Sequence, residues 1–589
     1  MDRDAVVSPR AVEALIAEGQ TIVIYDGYIL RLDSWLTAHP GGRMAIMHMV
    51  GKDATDEMNV SHSARTLKTM KAFRIGLKPS GPWTNMTAPI RGGVFRKHNE
   101  TDTDADLAVV DATSLASLSS GESDAESGIE SGTDCFSDTE STVDSILAVD
   151  PIEPIERNNA AAVQSAPAVR RRKAARVDAE PPSAEVATEN ARMAREEYIN
   201  MAVRQGIEKD ILEYPPLEDA VQQEIVRKFR VLHQQVYDDG YYDCRYLEYG
   251  KEAVRYSMLF AMFFVALRYE WYMTSAAFLG LFWHQIMFTA HDAGHRAITH
   301  NFVFDTLVGL FIADFCCGLS IGWWKSSHNV HHLITNHPEH DPDIQNVPIF
   351  ATCPSFFKSI RSTYYDGFVF YWDAVADFMV PFQKYSYYPI MGVARFNLYL
   401  LSWLHVLSSK ASSLGGSKAW WIRPTEMACM ACYWFLFGYC LVWRTLPTWT
   451  IRIAFVLVSH IITMPLHVQI TLSHWGMSTS ELSEVESFPQ RQLRTTMDVD
   501  CPAWFDFVHG GLQFQAVHHL FPRVPRHNLR KLQALVKDFC NETGIKYSIY
   551  NFTDGNVKVL SRLEEVSEQL RMMASCQKYM AETGESGLH

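Results

Sequence analysis

His291-Asp-Ala-Gly-His295, His328-Asn-Val-His331-His332 and Gln515-Ala-Val-His518-His519 stand in this order in the second half of the chain, each next to a hydrophobic stretch. Side chains three or four apart on a helix share a face. His291 and His295 therefore point one way, and so do His328, His331 and His332. Neutral imidazole is a good ligand for iron. A structural zinc site usually closes with four ligands, often cysteine, and seven histidines without a cysteine exceed that need. The clusters point to a pair of non-haem iron ions at a membrane surface, provided the chain brings them together.

The flanking stretches supply the membrane. A bilayer core about 30 Å thick is crossed by roughly 20 apolar residues in a helix. Residues 253–267 and 273–290 read as one hairpin of spans, turned at Arg268-Tyr-Glu270, and residues 427–446 and 450–473 as a second, turned near Pro447. Residues 302–323 and 387–407 are also long enough to cross. A single crossing by either would leave the histidine clusters on opposite sides of the bilayer, so both are expected to lie in the interface or to re-enter. Asp305, Asp314 and Arg395 within them agree, because charge at mid-bilayer is costly. Four transmembrane helices result, with the histidines in a cap on one side.

Net charge is −14 over 589 residues, and between Glu100 and Asp150 stand fourteen Asp or Glu and no Lys or Arg. This tract accounts for the whole surplus, so the remainder is near neutral and no nucleic-acid partner is expected. Residues 96–188, poor in aromatics, cannot bury enough apolar surface to offset chain entropy and read as a disordered linker. Within it, Ser123 and Ser137 suit an acid-directed kinase, and Arg170-Arg-Arg-Lys173 suits anionic headgroups. The eleven cysteines are scattered and fit a reducing compartment. Cys429 and Cys432, the only CxxC, read as small core residues. The polar N-terminus leads to no secretory signal. Residues 189–252 read as soluble helix, and residues 559–573 as an amphipathic helix in a tail spanning 556–589.

At the other end, Ile22-Val-Ile-Tyr25 and Tyr28-Ile-Leu-Arg31 flank Asp26-Gly27, a hairpin signal because tight primed turns need positive φ. His39-Pro-Gly-Gly42, Gly51-Lys-Asp-Ala-Thr55 and Val60-Ser-His62-Ser63 follow. Residues 1–80 thus resemble a cytochrome b5 domain. The resemblance implies an α+β fold holding haem b, with His39 and His62 as axial ligands. With both axial positions filled, such a haem passes single electrons and does not activate O2.

HDAGH, HNVHH and QAVHH in turn resemble the three histidine boxes of membrane fatty-acyl and sphingoid desaturases. Gln515 at the head of the third box resembles the front-end subclass, whose members carry an N-terminal cytochrome b5 domain. The similarity covers roughly residues 1–80 and 200–550. It implies an all-α membrane desaturase domain (253–555) in which His291, His295, His328, His331, His332, His518 and His519 ligate two irons. His474, in Ser473-His-Trp475, resembles an additional ligand. Gln515 replaces a histidine of other subclasses and would bind metal weakly or orient a water. Asp292 is expected to hold a ligand imidazole by its second nitrogen. Asp341-Pro-Asp343 also resembles the family, as a loop brace or a headgroup contact. His284, His300, His337, His340, His467 and His509 are expected to be structural or to stand outside the ligand set.

The acidic insertion, Tyr214-Pro-Pro-Leu217 and the run from Asn336 to Asp343 look most like fungal Δ8-sphingolipid desaturases. That likeness implies O2-dependent introduction of a trans double bond into the long-chain base of ceramide. Electrons would come from NADH through a separate cytochrome b5 reductase and then the fused haem. A Δ6-type acyl-lipid desaturase, a lipid hydroxylase and a non-catalytic membrane haem relay are the alternatives. The expected setting is the endoplasmic reticulum membrane, with haem domain, linker and boxes cytosolic. The sequons at Asn59, Asn85, Asn99, Asn541 and Asn551 are then expected to stay unglycosylated.

Overall fold

Asp26 and Gly27 both take positive φ, 51° and 79°, and strands Ile22–Tyr25 and Tyr28–Arg31 pair antiparallel across this turn. Strand Arg74–Leu77 completes a three-stranded sheet. Successive side chains of a strand face opposite ways. Ile22 and Ile24 accordingly pack with Val12, Leu15 and Ile16 of helix Pro9–Ala17, whereas Val23 and Tyr25 pack with Met49 and Met58 on the other face. The short helices Arg43–Met47, Thr55–Ser61 and Ala64–Met70 wall a crevice on that second face. This is the expected α+β domain. The computed structural model describes residues 3–97, 184–409, 419–483 and 486–583, and nearly all of the expected linker lies outside them.

The second part is helical. Tyr246–Arg268 and Tyr272–Gly294 form an antiparallel hairpin turned at Tyr269-Glu270-Trp271, where Glu270 has φ 61°. Among the described residues, three helices are long and apolar enough to cross a membrane: Ala374–Leu407, Ile422–Thr445 and Trp449–Leu472. A bent pair, Phe302–Cys316 and Ile321–Leu333, meets at 116°; it adds a fourth if it counts as one broken span, and otherwise has the form of the re-entrant element expected for residues 302–323. This set differs from the expected four. The first hairpin falls short because its leading helix begins with Glu248, Lys251, Glu252 and Arg255, and the other carries Thr274, Ser275, His284 and Gln285. Conversely, residues 387–407, expected in the interface, belong to one of the three long apolar helices.

The charged residues of these two segments do not place them at the membrane interface. Asp305, Asp314 and Arg395 are fully buried in the protein. Asp305 accepts from Thr299, Asp314 accepts from the Ile321 amide, and Arg395 donates to Tyr399 and the Cys317 carbonyl. A charge solvated by protein groups says nothing about depth in a bilayer. The 116° bend falls at Gly318, whose φ of 70° an L side chain rarely adopts.

The C-terminal helix runs over Phe552–Thr583, longer than the expected 559–573, and buries Val559, Leu563, Val566 and Leu570 against Tyr198, Ile199 and Ala202 of helix Ala184–Glu213. All ten cysteines among the described residues are free. Cys432 is exposed and Cys429 half-exposed, so these two are not the core residues expected.

Candidate active site

Each box reaches the site on its own element, and each element is anchored locally. Helix Tyr272–Gly294 carries His291 and is capped by His295. Ser320 Oγ accepts from the Trp323 amide and starts helix Ile321–Leu333, which carries His328, His331 and His332. Asp498 accepts from the Ala516 amide at 2.7 Å and so anchors the helix Gln515–Leu520 that bears His518 and His519. His474 follows helix Met464–Leu472. The first two helices approach closely at Gly294, where a Cβ would stand 2.1 Å from the Trp324 ring, itself stacked on His328 at 4.3 Å.

All eight expected histidines converge. His291, His295, His328 and His518 present ring nitrogens within 4.8 Å of one another, and His331, His474 and His519 form a second such group. His332 lies between the two. Its Nε2 is 3.1 Å from His328 Nε2, and its ring stacks on His519 at 4.1 Å. His331 and His474 likewise oppose Nε2 atoms at 3.3 Å. Two metal–imidazole bonds of about 2.1 Å meeting near a right or tetrahedral angle put their nitrogens roughly 3.0–3.4 Å apart. The donor set therefore fits shared metal ions. His291, His295 and His518 each bury an Nε2 with no protein partner, as ligand atoms would. Burial holds His518 and His519 well below the ordinary histidine range, so both are neutral with a lone pair to offer.

The groups that orient these rings were only partly visible in the sequence. His331 Nδ1–H donates to Asp341 Oδ2 at 2.8 Å, and the Asn336 amide donates to the same oxygen at 2.7 Å. Asp341 thus braces both the loop and the ring, leaving His331 Nε2 for metal. His519 Nδ1–H donates to Gln492 Oε1 at 2.9 Å, while Gln492 Nε2 donates to the His332 carbonyl at 2.8 Å. No local pattern marks Gln492. Asp292 behaves differently from expectation. It stands 3.6 Å from His291 Nδ1, too far for a hydrogen bond, and is engaged by Tyr249 and by Arg526 at 2.6 Å. Both of these donors engage Asp292 Oδ2, while Oδ1 is the atom that faces His291. Gln515 Nε2 lies 3.5 Å from His519 Nε2, on the wall of the site.

The remaining histidines find other partners. His300 and His467 face backbone carbonyls, His509 faces Gln469, His284 faces Gln285, and His337 stacks on His340. None belongs to a candidate metal group among the described residues.

In the N-terminal domain, His39 Nδ1–H donates to the Gly42 carbonyl at 2.9 Å and His62 Nδ1–H to the Met58 carbonyl at 3.0 Å. Both Nε2 atoms are left for a ligand, and the ring centres are 5.9 Å apart. Bonds of about 2 Å on both sides of one metal put imidazole centres roughly 6 Å apart, so the pair fits a bis-histidine haem. Burial pushes His39 down to about 4 and His62 to about 3, which keeps both neutral. Their cavity, of about 450 Å³, is lined also by His295, His332 and His519. The two histidine centres share one cavity.

Residues 270–551 match the model of the fatty acid desaturase family, and residues 8–77 that of the cytochrome b5-like heme/steroid binding domain. A Delta 8-(E)-sphingolipid desaturase of Emericella nidulans is 46% identical over 99% of this chain and 98% of its own length. Enzymes of the same description from Kluyveromyces lactis and Candida albicans are each 43% identical, over 98% and 96% of this chain and 95% and 96% of their own lengths. The chain belongs to the fatty acid desaturase family. It is therefore an oxidoreductase and a multi-pass membrane protein, fused to a haem-binding cytochrome b5 domain that the desaturase domain meets directly.

Proposed function

We propose that the protein is an O2-dependent desaturase that introduces the Δ8 double bond into the long-chain base of a sphingolipid, ceramide being the expected form. The sphingolipid assignment is supported by near-full-length similarity to enzymes described that way. The observation that carries the chemistry is the pair of all-histidine cradles beside the bis-histidine crevice. In this reading His291, His295, His328, His331, His332, His474, His518 and His519 hold two irons, and His39 and His62 hold haem b.

Removing two hydrogens from adjacent methylenes needs a stronger oxidant than any side chain, which an iron pair supplies with O2 when bound. The overall balance consumes one O2, two electrons and two protons, forms one C=C bond and releases two waters. Asp341 and Gln492 keep the Nδ1–H tautomers that aim Nε2 at metal. The buried, apolar surroundings of the boxes exclude bulk water. A haem held by His39 and His62 would supply single-electron transfer from a separate NADH-dependent reductase, and fusion of its domain raises the effective concentration of that donor beside the histidine boxes. The proposed setting is the endoplasmic reticulum membrane with boxes and haem domain on the cytosolic side.

Expression in a yeast lacking long-chain-base unsaturation at this position tests the proposal. Lipid mass spectrometry should find a Δ8-unsaturated base, and His331→Ala should abolish it while haem reduction persists. An unsaturated acyl chain on an unaltered base, or a hydroxylated product, would replace this reading. Product formation unaffected by His331→Ala would leave only a haem relay. An endoglycosidase-sensitive shift at Asn541 would reverse the orientation.

A further inference from the structure

Three cations reach the haem crevice from the desaturase side. Arg296 follows first-box His295, Lys325 lies one turn before His328, and Arg523 stands four residues after His519, beyond the end of its helix. All three line the cavity that contains His39 and His62, and Arg65 borders it from the cytochrome side. Among the described residues none of the three forms an ion pair. Arg296 and Lys325 meet only the face of Phe302, at 5.1 and 6.0 Å, and Arg523 meets His300 Nδ1 at 3.4 Å. Asp305 acts on all three from a distance, its oxygens engaged by Thr299, and Glu426 also acts on Lys325; Glu57, which lines the same cavity, is paired with Lys52 at 4.0 Å.

Like charges gathered in a half-buried space repel one another and lose hydration, so such a cluster is costly until an anion joins it. The crevice also faces the cluster in a fixed way. Asn329 of the second box donates to the Gly41 carbonyl of the His-Pro-Gly-Gly turn at 3.2 Å, and Ile334 is buried among Leu30, Met49 and Met58 of the cytochrome domain. A haem b held by His39 and His62 carries two carboxylates on one edge.

We propose that Arg296, Lys325 and Arg523 bind those carboxylates, so that the desaturase domain completes the haem site. The proposal rests on the reading of His39 and His62 as axial ligands. Ion pairing by guanidinium or ammonium would fix the rotation of the macrocycle about its axial bonds and set its carboxylate edge toward the histidine boxes. Positive charge near the haem also favours the added electron, so the cluster raises the reduction potential.

Potentiometric titration of the visible haem bands in the purified, haem-loaded full chain tests this. Arg296→Gln, Arg523→Gln and Lys325→Met should each lower the potential. The reduced-to-oxidised ratio at a fixed poise should fall about threefold to tenfold, tenfold being 59 mV for one electron, while Arg296→Lys and Arg523→Lys stay near the parent value. The Arg296→Gln/Arg523→Gln pair should also lose haem faster to apomyoglobin. Unchanged potential and haem retention in the double variant would overturn the proposal. So would equal shifts or equal haem loss in the charge-conserving and charge-removing variants, since packing and not charge would then be responsible. A parent chain without a bis-imidazole haem spectrum would instead remove the axial reading itself.

Discussion

Single side chains decide whether the imidazoles can serve as ligands. Gln492→Leu removes the acceptor that holds His519 Nδ1–H, and Asp341→Leu removes the one that holds His331 Nδ1–H. Loss of such orienting groups typically weakens metal binding about 10- to 100-fold. Both variants should purify with less iron beyond the haem complement, by elemental analysis. Asp498 makes a different prediction. Burial raises its carboxyl from 3.8 to about 6 despite hydrogen bonds from Tyr547, Gln533 and the Ala516 amide. A proton held more tightly in the folded state stabilises fully below the unfolded pKa, and that stability is lost as pH rises through the folded value. The melting temperature of the parent relative to Asp498→Asn should therefore fall between pH 4 and 6. A difference independent of pH across that range would refute the raised carboxyl.

At the scale of elements, the site depends on how closely the box helices approach. Gly294 sits where a Cβ would enter the Trp324 ring, and Trp324 backs His328. Gly294→Ala should cost about 1–3 kcal/mol through overpacking and should deplete metal, because the second box must shift. Gly206, in helix Ala184–Glu213, meets nothing within 4 Å. Gly206→Ala should instead be neutral or stabilise by about 0.5–1 kcal/mol. Thermal melting and metal content of the two variants, measured together, separate close approach from a general intolerance of alanine. The glycine in the first box is thus explained by helix–helix contact and not by metal chemistry.

Across the whole molecule, electron delivery depends on how the cytochrome domain seats on the histidine cap. Arg230, on helix Asp219–Asp238, pairs with the nearly buried Asp56 at 2.7 Å. Arg230→Ala strands that carboxylate, at a cost of about 1–3 kcal/mol. It should slow reoxidation of pre-reduced haem by O2 and substrate without changing haem or iron content. Adding Asp56→Asn removes the stranded charge and should restore part of the rate. A rate unchanged in Arg230→Ala would show that this contact does not hold the domains in the productive arrangement.

What could be read directly from the chain was whatever chemistry or local geometry restricts to few residue types. Metal and haem ligation demand histidine, so the eight box-related histidines and the His39–His62 pair stood out, and a primed turn demands positive φ, so Asp26-Gly27 marked its hairpin. Hydrogen-bond acceptors are not restricted in this way. Gln492 lies 27 residues from His519, Asp498 lies 18 from Ala516, and Asn329 lies 288 from Gly41, so none had a local signature. The surroundings of the charged residues inside the apolar helices were likewise decided by folding. Asp305, Asp314 and Arg395 are buried and hydrogen-bonded, at least in part, by protein groups, and hydropathy along the chain does not distinguish such a group from one facing lipid.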